Sequence, residues 1–318
     1  MRRLAGDVLD LIGSTSMVAL RNVVPSNGAR ILLKMESENP TGSMKDRMAL
    51  AMIEAAERDG RLCPGGSVVE YTGGSTGVSL ALVCAVRGYR LHIVSSDAFA
   101  REKLDHMRHL GAEVEIVESD DGKMTEWLTR EMIRRAEARV EHEGSYLTDQ
   151  LKNEAPIARY RMMGEEIWEQ AGGRVDGFVQ CVGTAGSIRG VSQLLREKNG
   201  GVVIVAVEPS ESAVLSGGET GAHKIDGVGA GFVVPLWGEG VADAIERVST
   251  EEAVAMALRL SREEGLFCGV STGANVIAAL RLAGRLDGDA TIVTVMCDTG
   301  MKYLSGELYR QGARESRS

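Results

Sequence analysis

The sequence predicts an α/β protein built from two parallel-rich twisted-sheet domains with helices on both faces of the sheets. Short apolar runs alternate with amphipathic helical patterns along most of the 318 residues. Loops rich in glycine and hydroxyl side chains follow several of the apolar runs, where a strand would lead into a helix. This alternation is typical of parallel sheets, which bind ligands at the carboxyl ends of their strands. A chain of this length corresponds to about two domains.

The period of the apolar residues defines each predicted element. A buried parallel strand is a short continuous apolar run, whereas an amphipathic helix repeats its apolar residues every three or four positions. The helix predicted over 46–59 places Met48, Met52 and Ile53 on one side. The predicted strands are 29–35, 68–71, 89–94, 114–117, 178–182, 202–207 and 292–296. The predicted helices are 46–59, 77–86, 101–110, 124–140, 155–170, a helix from 187, 251–264 and 272–284.

The composition excludes several functional classes. Hydrophobic residues make up 44% and charged residues 25% of the chain, as in ordinary soluble globular proteins. The net charge is -9, and no dense stripe of Lys and Arg occurs, so we expect no nucleic-acid partner. The most apolar run, 78–86, is too short to span a bilayer, and the first residues lack the pattern of a secretion signal. We therefore expect no membrane partner.

The cysteines predict a reducing compartment. Their number is odd and no CxxC pair occurs, so neither a disulfide framework nor a zinc ribbon is expected. Free thiols of this kind are typical of cytosolic proteins, and we expect a cytoplasmic protein. His106 and His109 lie three residues apart without an HExxH sequence, and we expect no metal site. The cysteines are Cys63, Cys84, Cys181, Cys268 and Cys297.

A candidate reactive lysine, Lys45, lies between a predicted strand and a predicted helix. It belongs to the segment 39–47, which reads Asn-Pro-Thr-Gly-Ser-Met-Lys-Asp-Arg. The Pro-Thr-Gly sequence is a turn signal, and Ser43 is a suitable N-cap. Lys45 would then lie in the first helical turn, where the positive end of the helix dipole and partial burial both disfavour the charged form of its amine. An isolated lysine is more often a solvated surface residue, but the neighbouring motifs favour a reactive amine.

Two loops are candidate anion sites. Residues 72–77 read Thr-Gly-Gly-Ser-Thr-Gly, and residues 183–187 read Gly-Thr-Ala-Gly-Ser. In each, glycines let backbone N–H groups converge at the start of a helix, and hydroxyl groups add donors. The first loop is not a Walker loop, because no GK[ST] sequence follows it. Taken alone, it is equally well explained as a tight turn between a strand and a helix.

A dinucleotide-binding turn is the alternative for the second loop. Glu208 ends the next predicted strand, roughly where an acid that binds a ribose is expected. The loop has GxxG spacing rather than GxGxxG, however, and Pro209 follows the acid directly. Both features disfavour the dinucleotide interpretation.

A fourth candidate segment follows the strand predicted over 292–296. Thr299 could donate a hydrogen bond to an unprotonated pyridine nitrogen, whereas Asp298 would hold that nitrogen protonated. Neighbours on an extended segment point in opposite directions, so only one of them is expected to reach it. One lysine and two anion-binding loops together predict a cofactor that carries a phosphate, bonds to an amine and acts on a carboxylate-bearing substrate. Pyridoxal phosphate with an amino acid meets all three requirements.

Taken together, the motifs resemble the cysteine synthase (O-acetylserine sulfhydrylase)/cystathionine β-synthase family of fold-type II pyridoxal-phosphate enzymes. The similarity extends from residues 11–15 to residues 302–305, and the segment 39–47 matches the Schiff-base lysine motif of that family. The resemblance implies a tryptophan synthase β-like fold of two α/β domains. The larger, cofactor-binding domain would comprise 1–44 and 151–318, and the smaller, mobile, substrate-gripping domain would comprise 45–150.

The resemblance also assigns roles to individual residues. Lys45 is the implied catalytic residue. The implied cofactor-binding residues are Lys45, Ser75, Gly183, Thr184, Ala185, Gly186, Ser187 and Thr299. The implied substrate-binding residues are Thr72, Gly73, Gly74, Ser75, Thr76, Gln150 and Gly227.

The implied activity is β-replacement on a β-substituted L-alanine, an O-acetylserine-like donor, through an aminoacrylate intermediate to cysteine or a related amino acid. Two alternatives are β-elimination, as in a cysteine desulfhydrase or a serine/threonine deaminase, and cystathionine β-synthase-like use of homocysteine. The family loop usually reads Thr-Ser-Gly-Asn-Thr-Gly, and Gly73 and Ser75 replace its Ser and Asn here, so replacement and elimination both stay open. The implied protein partners are a second copy of the chain, in a homodimer, and a serine acetyltransferase C-terminal peptide.

Overall fold

Strands and helices alternate along most of the chain, as the sequence predicts. The computed structural model describes residues 4–24, 28–72, 74–122, 125–286 and 288–306. Within these ranges there are ten strands and eight α-helices. The strands are β1 (Met17–Ala19), β2 (Arg30–Met35), β3 (Ser67–Tyr71), β4 (Arg90–Ser96), β5 (Glu113–Val117), β6 (Tyr146–Leu147), β7 (Gly177–Cys181), β8 (Val203–Pro209), β9 (Ala244–Val248) and β10 (Thr291–Met296). The helices are α1 (Lys45–Arg58), α2 (Ser75–Arg87), α3 (Arg101–His109), α4 (Glu126–Glu143), α5 (Ala155–Gln170), α6 (Gly186–Lys198), α7 (Thr250–Glu263) and α8 (Val270–Ala283).

The strands form two sheets. The larger sheet has six strands in the described part of the chain, in the order β1-β2-β10-β7-β8-β9. There β1 pairs antiparallel with β2, and the other strand pairs are parallel. The smaller sheet has four parallel strands in the order β5-β4-β3-β6. The predicted fold class, two parallel-rich sheets with accompanying helices, is confirmed.

Both faces of the larger sheet are buried, which explains why its strands are continuous apolar runs. Neighbouring residues of one strand enter different cores, because successive side chains point to opposite faces. Leu32 and Phe178 pack into a core shared with α5 and α6. Leu33 and Val179 pack into a second core shared with α7 and α8. Helices therefore cover both faces of this sheet.

Helix α1 connects the two halves of the molecule. It packs against α2, which accompanies the smaller sheet, and against α5, which belongs to the first core of the larger sheet. Strands on both sides of residues 67–147 in sequence build the larger sheet, whereas the smaller sheet uses only residues inside that range. The domain boundaries at 45 and 150 stay a prediction.

The structure differs from the sequence prediction in several short strands and in where some helices begin. Strands β1, β6 and β9 were not predicted, and α2 and α6 begin at Ser75 and Gly186, one or two residues before the predicted starts. Ser43 is not the N-cap of α1, since Met44 occupies that position with a helical backbone. The hydroxyl group of Ser43 instead accepts a hydrogen bond from the N–H of Lys45 at 3.3 Å. No described helix is long and apolar enough to cross a membrane.

Candidate active site

The candidate site residues converge at the carboxyl ends of the strands. The segment after β2 leads to Lys45, and the segment after β3 is the start of α2. The loop 183–187 follows β7, and Asp298 and Thr299 follow β10. Gln150 lies after β6. Parallel sheets place ligand sites at this edge, and the topology brings the predicted residues together there.

Backbone pairing fixes Lys45 beside the end of β10. The N–H of Met44 donates to the carbonyl oxygen of Cys297 at 2.9 Å, and the N–H of Thr299 donates to the carbonyl oxygen of Gly42 at 3.0 Å. Lys45 is half-buried at the first position of α1. Burial raises the pKa of the Cys297 thiol to about 11, and the nearby Lys45 charge opposes that rise. The lysine amine therefore lies close to the end of β10.

A buried ionic network anchors the helix that carries Lys45. Arg47, two residues further on, donates to both carboxylate oxygens of Glu36 and to both of Glu166, each at 2.8 Å. Lys34 of β2 contacts Glu166 at 2.6 Å. Burial opposes the charge on Glu166, but the Arg47 and Lys34 cations hold the pKa of that carboxyl near 2. This network ties α1 to β2 and α5, so the start of the helix is held firmly.

The loop 183–187, the predicted anion cradle, lies at the start of α6. Gly183 has no room for a side chain, because a Cβ atom there would lie 2.4 Å from the carbonyl oxygen of Gly227. Ala185 has a left-handed backbone with φ of 67° and precedes the helix. The Gln180 amide donates to the hydroxyl oxygen of Ser187 at 2.8 Å, so the hydroxyl hydrogen of Ser187 stays available to a ligand. The first N–H groups of α6 have no helical acceptor and favour an anion.

The second loop lies at the start of α2. We define the carboxylate loop as Thr72 and residues 74–76, since Gly73 lies outside the described residues. Gly74 caps α2 with φ of 135°, a conformation that only glycine adopts readily. Its N–H donates to the hydroxyl oxygen of Thr72 at 3.2 Å. The hydroxyl group of Ser75 donates to Asp298 at 3.2 Å, so its hydrogen does not point to a ligand.

Gln150 shapes the carboxylate loop from the side. Its amide oxygen accepts from the hydroxyl group of Thr76 at 2.8 Å, and its amide nitrogen donates to the carbonyl oxygen of Tyr71 at 2.7 Å. Its backbone N–H donates to the fully buried carboxyl of Glu70 at 3.0 Å. Burial raises the pKa of Glu70 to about 8, although hydrogen bonds from neighbouring groups oppose the rise.

The two candidates after β10 have different partners. Asp298 is buried, and one of its oxygens accepts from Ser75 at 3.2 Å and from the Tyr303 hydroxyl group at 2.7 Å. The hydroxyl oxygen of Thr299 accepts from the N–H of Met301 at 3.3 Å. The hydroxyl hydrogen of Thr299 therefore stays available to an acceptor such as a pyridine nitrogen. Asp298 uses one oxygen for these bonds, and its other oxygen is buried without a hydrogen-bond partner among the described residues.

Sequence reasoning missed several polar residues of this region. Lys103 bonds to Asp226 and to the hydroxyl group of Tyr303. Lys302 is 5% exposed, and its amine has no hydrogen-bond partner among the described residues. Burial lowers the pKa of Lys302 to about 8, against the attraction of Asp298. The sequence signal that could have indicated this group is that Asp226 directly precedes Gly227, a residue implied to bind the substrate.

These residues fit a pyridoxal phosphate. The cradle at 183–187 places the start of helix α6 beside a glycine that tolerates no side chain, an arrangement that suits a phosphate. Lys45 would hold the aldehyde carbon of the cofactor, and Thr299 offers a hydroxyl hydrogen for its ring nitrogen. Fold and site together define the class of α/β enzymes that use pyridoxal phosphate.

Comparisons with known proteins give the same class. Residues 8–298 match the family described as pyridoxal-phosphate dependent enzyme. A cysteine synthase of Staphylococcus aureus is 38% identical over 305 residues, covering 95% of this chain and 96% of that protein. The protein belongs to the pyridoxal-phosphate dependent enzyme family, in the branch that contains the cysteine synthases. The predicted resemblance, enzyme class and cofactor are confirmed.

Solved structures extend the similarity to the whole fold. The crystal structure of O-ureido-L-serine synthase has a TM-score of 0.91 and 35% identity, and covers 97% of this chain and 96% of that one. O-Acetyl serine sulfhydrylase isoform 3 from Entamoeba histolytica has a TM-score of 0.90 and 37% identity, and covers 97% and 92%. The individual roles of Lys45, Thr299 and the loop residues stay predictions.

Proposed function

We propose that the protein catalyses β-replacement on a β-substituted L-alanine, with an O-acetylserine-like donor, and forms cysteine or a related amino acid. The convergence of Lys45, the anion cradle at 183–187 and the carboxylate loop at one sheet edge carries this proposal. The similarity to a cysteine synthase and to an O-acetyl serine sulfhydrylase supports the choice of reaction. The similarity to O-ureido-L-serine synthase supports a related amino acid as product.

In this reaction pyridoxal phosphate would supply an electron sink that makes the Cα proton of the amino acid acidic. The amine of Lys45 takes that proton as general base and returns it after the new bond to Cβ has formed. The network of Arg47 with Glu36 and Glu166 holds the start of α1, so that the amine keeps one position during both transfers. The leaving group departs from Cβ with the electron pair of its bond, and a nucleophile such as sulfide supplies the electron pair of the new bond to Cβ.

The carboxylate loop orients the substrate. The N–H groups at the start of α2 lie at the positive end of the helix dipole, where a carboxylate is stabilised. Gln150 holds Thr76 and the carbonyl group of Tyr71, and thereby shapes the loop. The hydroxyl hydrogen of Thr299 would bond to the ring nitrogen of the cofactor without protonating it, which moderates the electron sink.

Borohydride reduction of the holoenzyme tests the role of Lys45. The cofactor should become fixed to the peptide that contains Lys45, and Lys45→Ala should give no labelled peptide and no turnover. Lys152→Ala is the control, because this lysine is exposed and pairs with Asp149 at the surface. Labelling of another peptide in the unaltered protein would refute the assignment.

Product analysis separates replacement from elimination. The holoenzyme is given O-acetylserine, O-phosphoserine, serine or cysteine in turn, with and without sulfide. We expect a new amino acid in the presence of sulfide, with little keto acid. Keto acid as the main product under both conditions would favour the elimination alternative.

The same family membership supports proposals about the protein partners and the location. We propose a homodimer in the cytoplasm, which size-exclusion chromatography with light scattering and cell fractionation would test. A serine acetyltransferase C-terminal peptide is a further proposed ligand of the candidate active site. Its binding would be measured by calorimetry with the synthetic peptide.

A further inference from the structure

Lys103 is an almost fully buried lysine on an otherwise polar helix. It is 2% exposed, although its neighbours on α3, Arg101 and Asp105, form an ion pair at the surface. Its ammonium group donates to Asp226 at 2.7 Å and to the hydroxyl oxygen of Tyr303 at 3.1 Å. It also lies 4.2 Å from the centroid of the Tyr303 ring. A buried cation with this many partners has a defined position.

The alkyl chain of Lys103 supports the carboxylate loop. A Cβ atom built on Gly74 would lie 2.3 Å from Cδ of Lys103, so the glycine packs directly on that chain. The ammonium group at the other end of the chain pairs with Asp226, which precedes Gly227. One side chain therefore contacts the carboxylate loop and the segment that contains Gly227, another predicted substrate-binding residue.

A second connection runs parallel to the first. The Tyr303 hydroxyl group accepts from Lys103 and donates to Asp298 at 2.7 Å, and Asp298 also accepts from Ser75 of the carboxylate loop. We name these five residues the clasp: Ser75, Lys103, Asp226, Asp298 and Tyr303. Ser75 and Lys103 lie on helices that accompany the smaller sheet. Asp226, Asp298 and Tyr303 lie on segments that follow strands of the larger sheet.

We propose that Lys103 is a positioning residue that sets the carboxylate loop against the segment around Gly227, and so controls the affinity for the α-carboxylate of the amino-acid substrate. This inference rests on the proposed function. Lys103 does not itself touch the reacting atoms. It acts through Gly74 on one side and Asp226 on the other.

A substitution at Lys103 can remove its charge while keeping most of the volume of its side chain. Methionine keeps an unbranched chain beneath Gly74 but removes the ammonium group. Asp226, whose side chain is 22% exposed, then loses its cation, and Tyr303 loses a donor. A hydrogen bond between charged groups is the strong kind. Its loss frees the segment around Gly227 from the carboxylate loop.

The experiment compares Lys103→Met, Asp226→Asn and the double variant with the unaltered holoenzyme. We expect each single variant to raise the Kd and KM for O-acetylserine about tenfold, with a much smaller change in kcat. The double variant should be no worse than either single variant, because both remove the same contact. Arg101→Met is the matched control, since it removes an exposed charge from the same turn of α3 and should change neither constant.

Hydrogen exchange gives a readout that needs no turnover. The backbone amides of residues 74–79 and 226–232 should exchange faster in Lys103→Met and Asp226→Asn, while those of α7 stay unchanged. If Lys103→Met does not fold, Asp226→Asn and Tyr303→Phe carry the same test. If the variants exchange faster but O-acetylserine neither binds to nor reacts with the unaltered enzyme, the clasp is supported and the proposed donor is contradicted. Additive losses in the double variant, unchanged exchange, or an equal loss in Arg101→Met would each overturn the role of Lys103.

Discussion

Replacing Lys302 by methionine is expected to stabilise the protein at neutral pH. The ammonium group of this lysine is buried and has no hydrogen-bond partner in the described structure. Burial lowers its pKa from 10.5 to about 8, and this net value already includes the attraction of Asp298 and Asp46. One pKa unit corresponds to about 1.4 kcal/mol, so keeping Lys302 charged in the folded state costs about 3 kcal/mol. Methionine has a similar length and removes this cost.

The pH dependence of this gain has a defined sign. Between pH 8 and 10.5 the unfolded state binds more protons at this position than the folded state does, so the stability of the unaltered protein rises with pH. The advantage of Lys302→Met is therefore complete below pH 8 and shrinks as the pH rises toward 10.5.

Urea unfolding at pH 7 and pH 10 measures the effect, with both proteins at the same cofactor loading. We expect Lys302→Met to raise the free energy of unfolding by about 1–3 kcal/mol at pH 7 and by clearly less at pH 10. Lys152→Met, at a lysine side chain that is 62% exposed, should change little at either pH. A lower stability of Lys302→Met at pH 7, or an equal gain at both pH values, would refute the reasoning.

Two further predictions concern the anion cradle and the anchor of α1. Gly183→Ala should weaken pyridoxal-phosphate binding about tenfold or more, because its Cβ atom would press on Gly227. Absorbance titration with pyridoxal phosphate measures this loss. The control variant Gly200→Ala, at a glycine with open space around it, should bind the cofactor normally. Arg47→Met should lower the free energy of unfolding by about 3–5 kcal/mol, since it leaves Glu36 buried without its cation. Urea unfolding measures that loss, and Arg58→Met on the exposed side of α1 should lose at most about 0.5 kcal/mol.

The main strands could be predicted from sequence because both faces of the larger sheet are buried. Such strands are continuous apolar runs, and β7, β8 and β10 were found within one or two residues of their ends. The missed strands are short or lie at an edge. In the described part of the chain β9 pairs with β8 alone; it is mostly half-exposed, and β6 has two residues. Their pairing depends on the neighbouring strand, which no local pattern describes.

The candidate site was predicted where local motifs describe it. The segments around Lys45 and 183–187 combine turn residues with a helix start, and this local chemistry is visible in the sequence. The partners of Lys103 are not visible in this way. Asp226 and Tyr303 lie 123 and 200 residues away along the chain. Within α3, Lys103 has the sequence context of a solvated lysine, and the packing of Gly74 on its chain decides otherwise.

The pairing of residues 42–44 with residues 297–299 has a consequence for biosynthesis. The smaller sheet needs only residues 67–147, so it can assemble while the ribosome is still adding later segments. Strand β2, by contrast, has β1 as an early neighbour but gains β10 only near the end of synthesis. The backbone bonds that fix the start of α1 also need late residues, because Met44 and Gly42 bond to Cys297 and Thr299. The chain between residues 44 and 297 forms a long loop, and contacts across long loops form slowly. On the proposed role of Lys45, pyridoxal phosphate is therefore attached late, after residue 299 has left the exit tunnel.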